Sequence, residues 1–247
     1  MMLRAGLLAF GISTSAAFAG FTTVQPNPAS ENSQPQVLDH IYGGAFTLED
    51  SVDYSNGTLT AVRVSDTASQ SGGLSYDNPG PNATDQLWQA SQVQATAEAA
   101  FAEIATSPFG YIPGATGGSF TPLFSMTGSG YGVTGSGSFT PSSQFRLAAQ
   151  NPFGLLSSTP SDNSDGKDHI VTYEVDGLND SARTWLVFFD DYGNNGHDGD
   201  FDYQDLVIQL KTVPASLPST SVPEPGSMML VGGAMIALLK RVRRPAF

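Results

Sequence analysis

Through residues 169–175 apolar and polar side chains alternate with a period of two. His169, Val171, Tyr173 and Val175 fall on one side and Ile170, Thr172 and Glu174 on the other, which predicts a strand. Residues 184–189 and 206–210 are apolar on both faces, as central strands of a sandwich are. Asn56-Gly57 predicts a hairpin with a type I′ turn, because both residues tolerate positive φ. The strand leaving it, 58–64, sets Thr58, Thr60, Val62 and Val64 on one face, with Val62 and Val64 expected inward. Residues 84–106 break the β pattern. There Trp88, Val93, Ala97, Ala100, Phe101 and Ile104 recur at helical intervals, Thr84 could cap, and Pro108 with Gly110 supplies a stop. One amphipathic helix packed on a sheet is the expectation. The Gly-rich stretch 114–139, with Phe120, Phe124 and Phe139 among Ser and Thr, reads as short strands and turns.

Composition supports the same class. The chain of 247 residues holds 27 Gly and 16 Pro but only 13 % charged residues, which suits many short strands joined by turns. The expected fold is mainly β: an antiparallel β-sandwich with one amphipathic helix over 84–106. Pro-, Asn-, Gln- and Ser-rich residues 20–36 read as a linker, 37–212 as the domain, and 213–221, with Pro214 and Pro218, as a second linker. The absence of Cys excludes a disulfide framework, a thiolate zinc site and a Cys nucleophile.

Both ends read as addresses. Arg4, an apolar run over 5–12 and Ala17-Phe18-Ala19 form a signal-peptide pattern, with cleavage expected after Ala19. At the other end Val222-Pro223-Glu224-Pro225 precedes an apolar run over 227–239 and the basic residues Lys240, Arg241, Arg243 and Arg244. As a helix that run would rise about 20 Å, short of the hydrocarbon core of about 30 Å. The basic cluster would hold its end on the cytoplasmic side. This order resembles the PEP-CTERM sorting signal over 222–247. The resemblance implies an exported protein of a Gram-negative bacterium, held transiently at the inner membrane, processed by an exosortase, and released to the cell surface or an extracellular matrix.

Removing both ends sharpens the charge. Five of the ten basic residues lie in them, with only Glu224 of the 23 acidic ones, so 20–221 keeps five basic against 22 acidic residues, a net of −17 against −13 for the whole chain. Nucleic acid is a poor partner for such a surface, and divalent cations are good ones.

The acidic charge concentrates between the two most apolar strands. Residues 190–205 carry Asp190, Asp191, Asp198, Asp200, Asp202 and Asp205, with Asn194, Asn195, three glycines and no Lys or Arg. Such a loop repels itself unless a hard cation orders it, and Ca²⁺, taking six to eight oxygens in flexible geometry, fits better than Mg²⁺. Counting from Asp198, Tyr203 and Gln209 stand where an EF-hand needs Gly and Glu, so that motif is rejected. Were 198–205 fully extended, Asp205 would point away from the other three, so shared ligation requires a curl before Leu206.

Phe189-Asp190-Asp191 and then Asp200-Phe201-Asp202-Tyr203-Gln204-Asp205-Leu206-Val207 resemble the signature of a domain of unknown function found in exported bacterial proteins. That family prefers Glu at position 190 and Asn at 204. With Asp168-His169 upstream, the resemblance spans about 160–210 and implies a β-sandwich of calcium-binding character without established catalytic activity. The expected ligands are Asp191, Asp198, Asp200, Asp202 and Asp205, with Asp190, Asn194 and Asp168 as further candidates. The stretch 162–168 could add a second arm, though Asp165-Gly166 is equally a plain turn. His169 reads as a core-edge imidazole bonded to a carboxylate or carbonyl, and His197 as a loop residue.

A non-catalytic surface or matrix protein, associated with extracellular polysaccharide and stabilised by Ca²⁺, is the expected role. A carbohydrate-binding module, using Trp88, Trp185 and several Tyr, and a metal-dependent hydrolase are the alternatives.

Overall fold

Strands with two apolar faces need cover on both sides, and in the computed structural model of the chain they have it. The structure describes residues 20–26, 32–66, 74–75, 83–101, 108–179, 182–191 and 200–212. All of these belong to one compact unit, Met1–Val213; a second unit, Pro214–Phe247, lies outside them, as does the expected leader 1–19.

In chain order the elements are helix α1 (Gln34–Tyr42) and strands β1 (Thr47–Leu48), β2 (Tyr54–Ser55), β3 (Thr60–Arg63), β4 (Leu74–Ser75), β5 (Trp88–Gln89), β6 (Val93–Ala100) and β7 (Pro108–Pro113). They continue with β8 (Thr121–Ser125), β9 (Ser136–Phe139), β10 (Phe145–Asn151), β11 (Gly154–Ser157), β12 (Ile170–Asp176), β13 (Thr184–Phe189) and β14 (Leu206–Thr212). One sheet runs β1-β2-β3-β12-β13-β14-β6-β9, and the other β4-β5-β10-β7-β8 with β11 also on β10. Every pairing is antiparallel except β4 with β5. The fold is thus mainly β, in antiparallel sheets, with one α-helix among the described residues.

Alternating positions of the larger sheet feed two separate cores. Ile170, Trp185, Val187, Phe189, Leu206, Ile208 and Leu210 meet Phe109, Phe145, Leu147 and Trp88 of the second sheet. On the opposite face, Val171, Tyr173, Val175, Leu186, Phe188 and Val207 pack with Val37 and Leu38 of α1. Both faces of β13 and of the first part of β14, 206–208, are therefore dry, which explains why those stretches lack alternation, whereas Gln209 and Lys211 beyond them are partly exposed.

The helix is elsewhere than its periodicity suggested. Across 84–106 the described part, 84–101, holds a turn at 85–86 and then strands β5 and β6, with β6 alternating buried Val93, Ala95, Ala97 and Ala99 against more exposed Gln94, Thr96 and Glu98. Positions 93 and 97 satisfy periods of two and four alike. Pairing with β14 and with Gly-rich β9, Ala95 opposite Gly137, outweighs the small helical preference of alanine. A register shift between Val207 and Ile208 lets Ala97 pair with Ile208 and Ala99 with Val207, turning Ala99 to the helix-covered face.

The actual helix begins inside the expected linker. Gln36 closes a capping box by accepting the Ser33 backbone N–H at 2.7 Å, and Gly43, at φ 74°, ends the helix. Residues 20–26 are docked on the domain as well, with the Gln25 amide donating to the Phe201 carbonyl at 2.8 Å. At the 56–57 turn, β2 and β3 are joined by four residues, and only Gly57 has positive φ. Asn56 acts through its side chain, Oδ1 accepting from Thr58 and Leu59 at 2.9 and 2.8 Å, so the turn is not type I′. On β3 the buried residues are Ala61 and Arg63 while Val62 is half-buried; Val64, just past the strand, is half-buried and packs against the core that the second sheet shares.

Candidate metal centre

Phe189 and Leu206 pair directly, so the connection 190–205 starts and ends at one point on the sheet. Of it the structure describes 190–191 and 200–205. Its closing arm curls: Phe201 and Tyr203 have φ of 60° and 57°, left-handed values that aromatic residues rarely adopt. Each is tied down. The Phe201 amide donates to Asp190 Oδ1 at 2.8 Å, and the buried Tyr203 donates its hydroxyl to the Asp168 carbonyl at 2.9 Å.

The curl turns carboxylates toward one another. Asp190, Asp200, Asp202 and Asp205 each present an oxygen, all within 4.8 Å of one another, with Asp200 exposed and the other three buried. Asp191 lies outside this set, and its backbone N–H instead donates to Asp205 Oδ2 at 2.7 Å. Asp190, a secondary candidate from sequence, is thus a member in place of Asp191. Gln204 donates to Asp202 Oδ2 at 2.9 Å and so orients a member of the set. Asp198 and Asn194 lie outside the described residues.

Without a cation this is an uncomfortable arrangement. Burial, followed by the charge of Asp191, raises the Asp205 carboxyl to about 9. Burial likewise raises Asp190, although His169 offsets part of it. His169 is fully buried, with Nδ1 3.1 Å from the Asp190 carbonyl oxygen and 3.3 Å from Asp190 Oδ2, and Nε2 3.1 Å from Asp165 Oδ2. Burial disfavours its charge, but the hydrogen bonds to Asp190 and Asp165 prevail and raise its pKa. The 162–168 stretch therefore reaches the centre through Asp165 and His169, as a support.

Asp168 is placed in a second cluster. Its Oδ2 accepts from the Thr22 hydroxyl at 3.1 Å, and burial followed by the charge of Asp66 raises it to about 7. Trp88 and Trp185, the stacking candidates, are fully buried and meet edge to face with centroids 6.4 Å apart, out of reach of any glycan.

The sorting motif and basic tail lie beyond the described residues, among which no helix is long and apolar enough to cross a membrane. No curated protein and no solved structure matches the chain. A family model, the PEP-CTERM protein-sorting motif, matches residues 221–244, which takes in Val222-Pro223-Glu224-Pro225, the apolar run and the Arg cluster. That motif marks the chain as a PEP-CTERM protein, exported in a Gram-negative bacterium, held transiently by its C-terminal segment and targeted to an exosortase.

Proposed function

We propose that the exported domain is a non-catalytic module of the cell surface or extracellular matrix, associated with exopolysaccharide, whose fold is completed by Ca²⁺. The leader 1–19 is removed after Ala19, and the exosortase removes the C-terminal segment near Pro223-Glu224-Pro225. The observation that carries the calcium reading is the convergence of Asp190, Asp200, Asp202 and Asp205 within 4.8 Å at the paired ends of β13 and β14. Four carboxylates so close repel strongly in a partly buried site, and a divalent cation turns that repulsion into ligation. Calcium tolerates the mixed set of carboxylates, carbonyls and water that a curled loop offers, where magnesium demands near-octahedral order.

Thermal unfolding of residues 20–221 in calcium and in chelator tests the reading. Calcium raises Tm by mass action, and Asp200→Asn with Asp202→Asn removes the response. An unchanged Tm in chelator overturns it.

A further inference from the structure

We infer that the amino terminus created by leader removal, the α-ammonium of Gly20, docks as the missing cation of a buried carboxylate cluster formed by Asp66, Asp85 and Asp168. The inference rests on the leader reading proposed above.

From Gly20 onward the chain is held into this cluster. The Asp66 amide and the Ser65 hydroxyl both donate to the Gly20 carbonyl, at 3.2 and 3.3 Å. Thr22 donates its amide to Asp66 Oδ2 and its hydroxyl to Asp168 Oδ2. Arg63 Nη2 donates to the Thr22 carbonyl at 3.3 Å. Asp85 adjoins the same point, its amide donating to the Ser65 carbonyl at 3.1 Å. Ser65 thus bonds Gly20 on one side and Asp85 on the other.

The charges at this point do not balance. Arg63 is the cation beside all three carboxylates and beside Asp53 as well, and its guanidinium is committed to Asp66 Oδ2 at 2.7 Å. Asp85 is fully buried, and neither of its oxygens has a hydrogen bond of normal geometry; the Thr172 hydroxyl beside it is in the same condition. A buried carboxylate in that state is strongly unfavourable and points to an absent cationic donor. Asp66 and Asp168 aggravate the situation by repelling Asp85.

Leader cleavage supplies what the site lacks. Before cleavage the Gly20 nitrogen is a neutral amide with one hydrogen; afterwards it is an ammonium with three donors, charged below an ordinary pKa of about 8. Glycine brings no side chain to crowd the approach. Processing thereby stabilises the exported domain, and the precursor with its leader attached is the weaker fold.

The test compares the chain starting at Gly20, released by a protease that leaves this residue first, with the same chain preceded by Phe18-Ala19 and with its N-acetylated form. Either change lowers Tm by about 2–4 °C, the shift expected when one modest interaction is lost from a domain of this size. In an Asp85→Asn background that difference vanishes. An equal loss in both backgrounds, or no loss, overturns the inference, as does full recovery of the extended chain's Tm by calcium that persists with Asp200→Asn and Asp202→Asn. Amine acylation at neutral pH is a second measure independent of variant folding: the docked ammonium reacts at least about tenfold more slowly than in the denatured chain, and equal rates overturn docking. The mass of the exported protein separates the two readings. A first residue other than Gly20 overturns the leader reading and the inference together, whereas a Gly20 start with a freely reactive amine overturns the inference alone.

Discussion

The Tyr203 hydroxyl donates to the Asp168 carbonyl at 2.9 Å, which ties the curled end of the acidic connection to the residues leading into β12. Tyr203 is buried and holds a φ of 57°, so this bond helps retain a conformation the residue would not choose alone. Tyr203→Phe keeps the ring and the strain but leaves a carbonyl unpaired, and stability falls by about 1–2 kcal/mol in denaturant melts. The calcium response weakens in the same variant, because Asp202 and Asp205 flank the loosened residue. A full calcium response with lowered stability would show that the bond serves the fold alone.

The Asp205 carboxyl sets a pH dependence that calcium should reverse. Its folded pKa, about 9 without a cation, lies above the ordinary value of 3.8. The folded state therefore keeps a proton that the unfolded chain releases, and this contribution is fully present below about pH 4 and lost as pH rises toward 9. In chelator, Tm falls across that window. Calcium, which binds the ionised form, reduces the fall, and Asp205→Asn reduces it without calcium, while Asp168, raised to about 7 outside the centre, keeps its own share.

His169 acts in the same direction. Its folded pKa lies above the ordinary 6.5 through Asp190 and Asp165, so its stabilisation is full below that value and is lost as pH rises through the folded pKa. His169→Phe leaves Asp190 buried without its cationic neighbour and costs about 3 kcal/mol at pH 6 in chelator. The cost is smaller at pH 9. Equal costs at both values would mean that the imidazole contributes packing only.

Two glycines, one in each sheet, test how rigid their neighbours are. A Cβ on Gly110 would sit 2.0 Å from the Thr121 backbone oxygen, beside the register shift between β7 and β8. Gly110→Ala therefore forces the strands apart and costs about 3 kcal/mol. A Cβ on Gly137 meets the Leu123 side chain at 2.7 Å, which can turn aside, and Gly137→Ala costs about 1 kcal/mol by the same measure. Reversal of that order would sink the comparison.

Much of the fold could be read from residue pattern, because burial acts on faces and faces repeat. Strands β12, β13 and β14 were legible from the alternation at 169–175 and the doubly apolar runs that follow. Residues 84–101 were not, since Val93 and Ala97 fit two periods, and the choice between them belongs to β14 and β9. Helix α1 did carry a local signal, Ser33 with Gln36 ahead of Val37 and Leu38, but Pro, Asn and Ser around it read as a linker. At the site, the sequence by itself determined where the carboxylates crowd. It also determined, in the C-terminal motif, that the protein is exported and targeted to an exosortase, because sorting reads a short linear segment. Only tertiary structure decided that Asp190 joins Asp200, Asp202 and Asp205 while Asp191 supports them, since one residue's step reverses a side chain's direction. Tertiary structure alone also brought Gly20 beside Ser65 and Asp66, because long-range hydrogen bonds leave no periodic trace in the chain that makes them.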